Sequence, residues 1–116
     1  MSRDEPLLLD MLVAAHEARS FAADLAKAQF FASRLHQNAV IRSLEVIGEA
    51  ASLVSNPCRA AHPEIPWRQI IGMRNRLVHA YARVSLDTIW DVIQARLPEL
   101  IASLTPLVPP DQTDDT

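Results

Sequence analysis

The sequence predicts an all-α fold, an antiparallel bundle of four to five helices. Three observations carry this expectation. Only two glycines occur in 116 residues and aromatics are 5%, a composition poor in the turn residues that a sandwich or barrel needs. Apolar residues recur at intervals of three and four along most of the chain, the period of an amphipathic helix. The segments between these runs are mostly short, which favours antiparallel neighbours. With 49% hydrophobic and 22% charged residues, the chain reads as one globular domain over 1–108, followed by an acidic flexible tail over 109–116.

Asp4-Glu5-Pro6 marks the first helix start, with a capping side chain, an early acid at the positive end of the dipole, and Pro where no N–H is required. Leu7, Met11, Ala14, Ala18, Phe21, Leu25 and Ala28 form its apolar line, and the helix is expected to end near Ala28 to Phe31. Ser33 caps a second helix of about 34–55, roughly 30 Å long, whose stripe is Val40, Leu44, Ile47, Ala51 and Val54, broadened by Leu35, Ala39, Val46 and Leu53. Gly48 in its middle costs up to about 1 kcal/mol relative to Ala and points to close approach by another helix. Arg42, Glu45 and Glu49 line one side, either solvated or holding an arginine from elsewhere.

Ser55-Asn56-Pro57 ends that helix, and the proline-rich stretch to Pro66 reads as a connector. Pro66 then opens a third helix from Trp67 to about Tyr81. Ser85 caps a fourth, with Leu86, Ile89 and Ile93 in its core line and Trp90 beside it. Pro98 should kink or restart it, after which Leu97, Leu100, Ile101, Leu104 and Leu107 continue the apolar pattern.

Composition removes several function classes. The net charge of -3 means that phosphate contact must come from a local patch rather than a bulk field. Cys58 is the lone cysteine, so an internal disulfide and a thiolate cage are both excluded. His16, His36, His62 and His79 form no i,i+4 pair, so neither a metal site nor a cofactor is expected. The amino terminus has acids where a signal peptide has bases, and Asp10 interrupts its apolar run. No stretch reaches the roughly 20 apolar residues of a membrane span. A cytoplasmic protein without membrane contact is expected.

The chemistry concentrates in the third helix. Arg74, Asn75, His79 and Tyr81 lie there with Arg68 and Arg76, and Arg83 follows. Histidine exchanges protons near neutral pH, and the arginine fork fits phosphate oxygens. Together they can cleave RNA without metal, because the ribose 2′-hydroxyl is the nucleophile and the arginine stabilises the charge that develops on phosphorus. At about 100° per residue, Asn75 and His79 share a face while Arg74 is turned about 140° from His79. The helix is distorted there, or the arginine reaches around, or a second subunit completes the site. A two-fold axis beside this helix is the favoured arrangement.

Three patches resemble the HepT-like toxins of the HEPN superfamily: Arg42 to Ala50, His62-Pro63-Glu64-Ile65-Pro66-Trp67 through Arg74-Asn75-Arg76-Leu77-Val78-His79-Ala80-Tyr81, and Asp87-Thr88-Ile89-Trp90 through Leu97-Pro98-Glu99-Leu100. The resemblance spans roughly residues 8 to 105. It implies a homodimer with Arg74 and His79 as the catalytic pair in an interface cleft and Asn75 as their polar neighbour. Arg68, Arg76 and Arg83 are expected either to contact RNA phosphate or to form a solvated basic face. The resemblance further implies a metal-independent endoribonuclease toxin, acting on tRNA or mRNA and neutralised by a nucleotidyltransferase antitoxin that modifies Tyr81 with AMP. Ala82 and Arg83 depart from the aromatic that many relatives place after this tyrosine. The alternative is a non-catalytic nucleotide- or RNA-binding subunit of a nucleotidyltransferase.

Overall fold

Helix α1 (Asp4–Ala22) lies against α3 (Arg34–Leu53), and these two supply most of the buried core. The structure is a computed structural model that describes residues 3–80 and 84–110, and every element in those residues is helical. The remaining elements are α2 (Lys27–Phe31), α4 (Asn56–Ala61), α5 (Trp67–Ala80), α6 (Leu86–Asp91), a π-helical turn (Val92–Arg96), α7 (Leu97–Leu104) and a 3-10 turn (Thr105–Leu107). The tail expected beyond 110 lies outside the described residues.

The first helix ends earlier than its periodicity suggests. Backbone bonds close a turn at Ala22–Leu25, and the chain re-enters helix at α2, where the Ala26 N–H donates to Gln29 Oε1 at 2.8 Å. Neither Gly nor Pro causes this break. Its gain is tertiary: α2 buries Phe30 completely, with its ring 5.5 Å from that of Trp90. Phe21 is consequently 39% exposed, and Ala28 also faces out. Of the expected line Met11, Ala14 and Ala18 are buried, and Leu8, Leu12, Ala15 and Ala22 complete the core face of α1.

Asp4 reaches beyond its own helix. Its carboxylate accepts from the Ser55 N–H at 2.8 Å and the Ser55 hydroxyl at 2.7 Å, tying the start of α1 to the end of α3 and setting the two antiparallel. Ser33 caps α3 as expected, accepting from the His36 N–H. The whole predicted stripe Val40, Leu44, Ile47, Ala51 and Val54 is buried, whereas Leu35 (76%) and Leu53 (63%) project outward. The proline-rich connector contains α4, capped by Ser55, because Pro57 sits in its first turn, where a missing N–H costs nothing.

Pro98 restarts the last helix as expected, sitting in the first turn of α7. The chain widens into a π-turn in which the Leu97 N–H bonds the Val92 carbonyl. This deprives the Ile93 carbonyl of its usual α-helical donor, and Pro98 has no N–H to replace it. Arg19 of α1 fills the gap, donating from Nη1 to the Ile93 oxygen at 3.1 Å. Helix α1 thus clamps the segment that the proline loosened.

Candidate active site on the fifth helix

Helix α5 starts where Pro66 places its carbonyl to accept from the Ile70 N–H at 3.0 Å. Trp67 is buried, and its indole N–H donates to the His62 carbonyl at 3.0 Å, fixing the helix entrance to the connector. Leu77 is buried and Ile70 half-buried, so this side faces the core. From Trp67 to Ala80 the helix is α throughout. Arg74 and His79 therefore keep the regular helical spacing that turns them apart.

The contact between α3 and α5 explains the position of Arg74. At Gly48 an added Cβ would overlap Arg74 Cβ and stand 2.7 Å from Arg74 Cγ and 3.2 Å from the Ile70 carbonyl oxygen. The arginine stem lies directly on the glycine backbone, the close approach that a mid-helix glycine predicts. The stem is held half-buried, and the guanidinium turns outward so that Nη1 donates to Asn75 Oδ1 at 3.2 Å. Asn75 is exposed and sits one turn before the exposed His79 on the same helical face. The guanidinium is thus held at Asn75, which shares its helical face with His79.

The other sequence-selected residues divide. Arg68 is exposed and shares the face of Asn75 and His79, eleven residues before His79. Arg76 is exposed on the neighbouring side, its Nη2 4.0 Å from Met73 Sδ. Among the described residues, none of Arg68, Arg74 and Arg76 pairs with a carboxylate. Arg42 pairs with Glu45 at 3.6 Å, and Glu49 is exposed, so these acids do not hold Arg74. Tyr81 and Arg83 lie outside the described residues.

Beside Arg76 an open groove of about 660 Å³ separates α5 from α6–α7. Leu44, Ile47, Ile70, Met73, Val92 and Leu97 make its floor apolar. No group of three or more His, Cys, Asp or Glu side chains that could hold a metal ion occurs among the described residues. No helix among them is long and apolar enough to cross a membrane. Cys58 is a poor nucleophile at neutral pH, because burial, with the nearby Asp4 carboxylate adding to it, raises its thiol above the ordinary value.

Residues 11–107 match the family model described as "Ribonuclease HepT-like". The chain belongs to the HepT-like ribonuclease family. Among its relatives is "Probable ribonuclease HepT" of Thermococcus cleftensis, 37% identical over 93 residues that cover 80% of this chain and 84% of that protein. "Putative RNase MJ1380" of Methanocaldococcus jannaschii is 32% identical over 93 residues, 80% of this chain and 85% of its own. "Putative RNase TTE0752" of Caldanaerobacter subterraneus subsp. tengcongensis is 44% identical over a shorter stretch of 62 residues, 53% of this chain and 55% of its own. No solved structure matches. The HepT-like match contains α5 in full, together with the α3 segment on which Arg74 rests.

Two residues escaped the sequence reading. Arg19 was not singled out. The missing N–H of Pro98 announces a freed carbonyl, but nothing local names its donor. Gly72 lies within the motif and drew no attention, although a mid-helix glycine four residues after Arg68 and seven before His79 is readable from spacing.

Proposed function

We propose that this HepT-like chain is a metal-independent endoribonuclease, the toxin of a toxin–antitoxin pair, acting in the cytoplasm. The observation that carries the reading is the Arg74–Asn75 hydrogen bond, which turns a phosphate-binding fork towards the face that presents His79. The names of the relatives support RNA as the substrate.

In this mechanism the RNA 2′-oxygen attacks the adjacent phosphorus and the bond to the 5′-oxygen breaks. His79 accepts the 2′-hydroxyl proton or protonates the leaving oxygen. In a homodimer the two copies of His79 take one role each, the two-subunit cleft that the helical geometry favours. Arg74 stabilises the charge that grows on the non-bridging oxygens. Asn75 holds the guanidinium in place, and Arg68, Arg76 and Arg83 bind flanking phosphates. The products are a 2′,3′-cyclic phosphate and a 5′-hydroxyl. No metal is required because the nucleophile, the proton carrier and the charge stabiliser are all present. A nucleotidyltransferase antitoxin adds AMP to Tyr81, and this bulky anion two residues from His79 repels the phosphate.

The test is cleavage of transcribed RNA and tRNA in EDTA, with end-group analysis of the products. Cleavage to a cyclic phosphate by wild type, lost in His79→Ala, is the expected result. RNA left intact at high protein concentration, with stable co-purification of a nucleotidyltransferase, would establish the non-catalytic subunit instead. For the modification, an intact-mass increase in units of AMP is expected after incubation with the antitoxin and ATP, and none in Tyr81→Phe.

A further inference from the structure

The two glycines of the chain both lie within α-helices, and neither has a positive φ, so backbone freedom explains neither. Gly48 is accounted for by the Arg74 stem packed upon it. Gly72 is not: among the described residues, nothing lies within 4 Å of where its Cβ would stand. The described residues give no steric reason for leaving this position bare. A glycine at an open helix surface is explained when something from outside comes close to the backbone.

The neighbours of Gly72 say what that something is. Helical spacing puts Arg68, Gly72, Asn75 and His79 on one stripe, at intervals of four, three and four. Arg76 flanks it, and neither Arg68 nor Arg76 is neutralised by a carboxylate among the described residues. Direct packing of a second α5 on Gly72 would set two cationic stripes face to face, so in the proposed two-subunit cleft the two copies stand apart across it. A polyanionic strand would be attracted, in a chain that otherwise carries a net charge of -3. We infer that Gly72 is a positioning residue for RNA: the sugar-phosphate backbone lies directly on α5 at this bare site, held by Arg68 on one side and delivered to Asn75 and His79 on the other. The stretch from Arg68 to His79 is about 16 Å along the helix axis, so the strand meets the helix at more than one nucleotide.

This inference rests on the ribonuclease reading, and one experiment separates their failures. Wild type and Gly72→Ala are compared for melting temperature, oligomeric state, binding of a fluorescein-labelled RNA oligonucleotide, and cleavage. Because alanine is the better helix former and meets nothing among the described residues, Gly72→Ala should melt about 4 °C higher. Its oligomeric state should be that of wild type. The added methyl group lifts the strand off the helix, so the Kd for RNA should rise about tenfold and kcat/KM should fall at least as much. A more stable variant with poorer RNA handling is a combination that loss of structure cannot produce. Unimpaired binding and cleavage by Gly72→Ala, with wild type active, overturns this inference alone. Loss of a dimer in the variant makes a second copy the occupant and also overturns it. A wild-type chain that neither binds nor cleaves RNA overturns the ribonuclease reading, and this inference with it.

Discussion

Gly48 and Gly72 occupy the middles of two helices in contact, and the same residue type meets opposite surroundings. At Gly48 the backbone of α3 is covered by the Arg74 stem and the Ile70 carbonyl. At Gly72 no described residue stands within 4 Å of where a Cβ would be. Each substitution of helical alanine by glycine costs about 1 kcal/mol, and at Gly48 the return is visible as helix packing. The packed glycine fixes where Arg74 emerges, and the open one lies on the face where its guanidinium is directed. One side of α5 therefore works for the fold and, on the proposed function, the other is left to chemistry, with Arg74 passing between them.

The sharpest way to break this division is His79→Ala. If the outward face is chemical, cleavage should fall by a factor of about 10² to 10⁴, while the urea midpoint stays put, because the imidazole is exposed and bonds to no described side chain. A stability loss above about 1 kcal/mol with activity retained would place His79 on the structural side instead. The complementary change is Gly48→Ala, which forces a methyl group into the Arg74 stem. We expect about 2 kcal/mol of destabilisation in chemical denaturation, despite the better helix propensity of alanine, together with weaker cleavage as Arg74 is displaced. A neutral or stabilised Gly48→Ala would mean that the α3–α5 contact is looser than described.

The same distinction can be made among arginines. Arg19 is half-buried and donates to the Ile93 carbonyl left without a partner by the π-turn. Arg19→Ala should cost about 1.5 kcal/mol, since the carbonyl loses a charged donor, with no direct effect on the RNA site. Arg19→Lys should recover part of it, and equal loss in both variants would argue against the bond.

These cases also show what the sequence discloses. The helical class and the α3 stripe were legible because burial along a long helix repeats with a fixed period. Close approach at Gly48 was legible because glycine inside a helix is costly. The break at Ala23–Ala26 was not, since no local residue demands it and the burial of Phe30 against Trp90 decides it from a distance. The exposed Leu35 and Leu53 were misread as core for a related reason: periodicity identifies an apolar face but not how wide a partner covers it. At the candidate site, spacing showed that Arg74 and His79 diverge by about 140°. It did not show that Asn75 would catch the guanidinium on the way, because a side-chain bond between adjacent residues leaves no periodic trace.

The smallest expected effect belongs to Arg68→Ala, and it completes the contrast with Arg19. Both residues are helical arginines, but Arg68 is exposed and has no carboxylate partner among the described residues. Folding should therefore not register its loss, and stability should stay within about 0.5 kcal/mol of wild type. If the cation instead serves a phosphate, its removal weakens RNA binding to a similar degree whatever the sequence, and the slope of log K against log salt becomes shallower by about 1. A loss confined to particular RNA sequences would mean that Arg68 reads a base edge rather than the backbone. An unchanged salt slope would take Arg68 out of the phosphate track and leave Asn75 and His79 as the outward face's only contacts on that stripe.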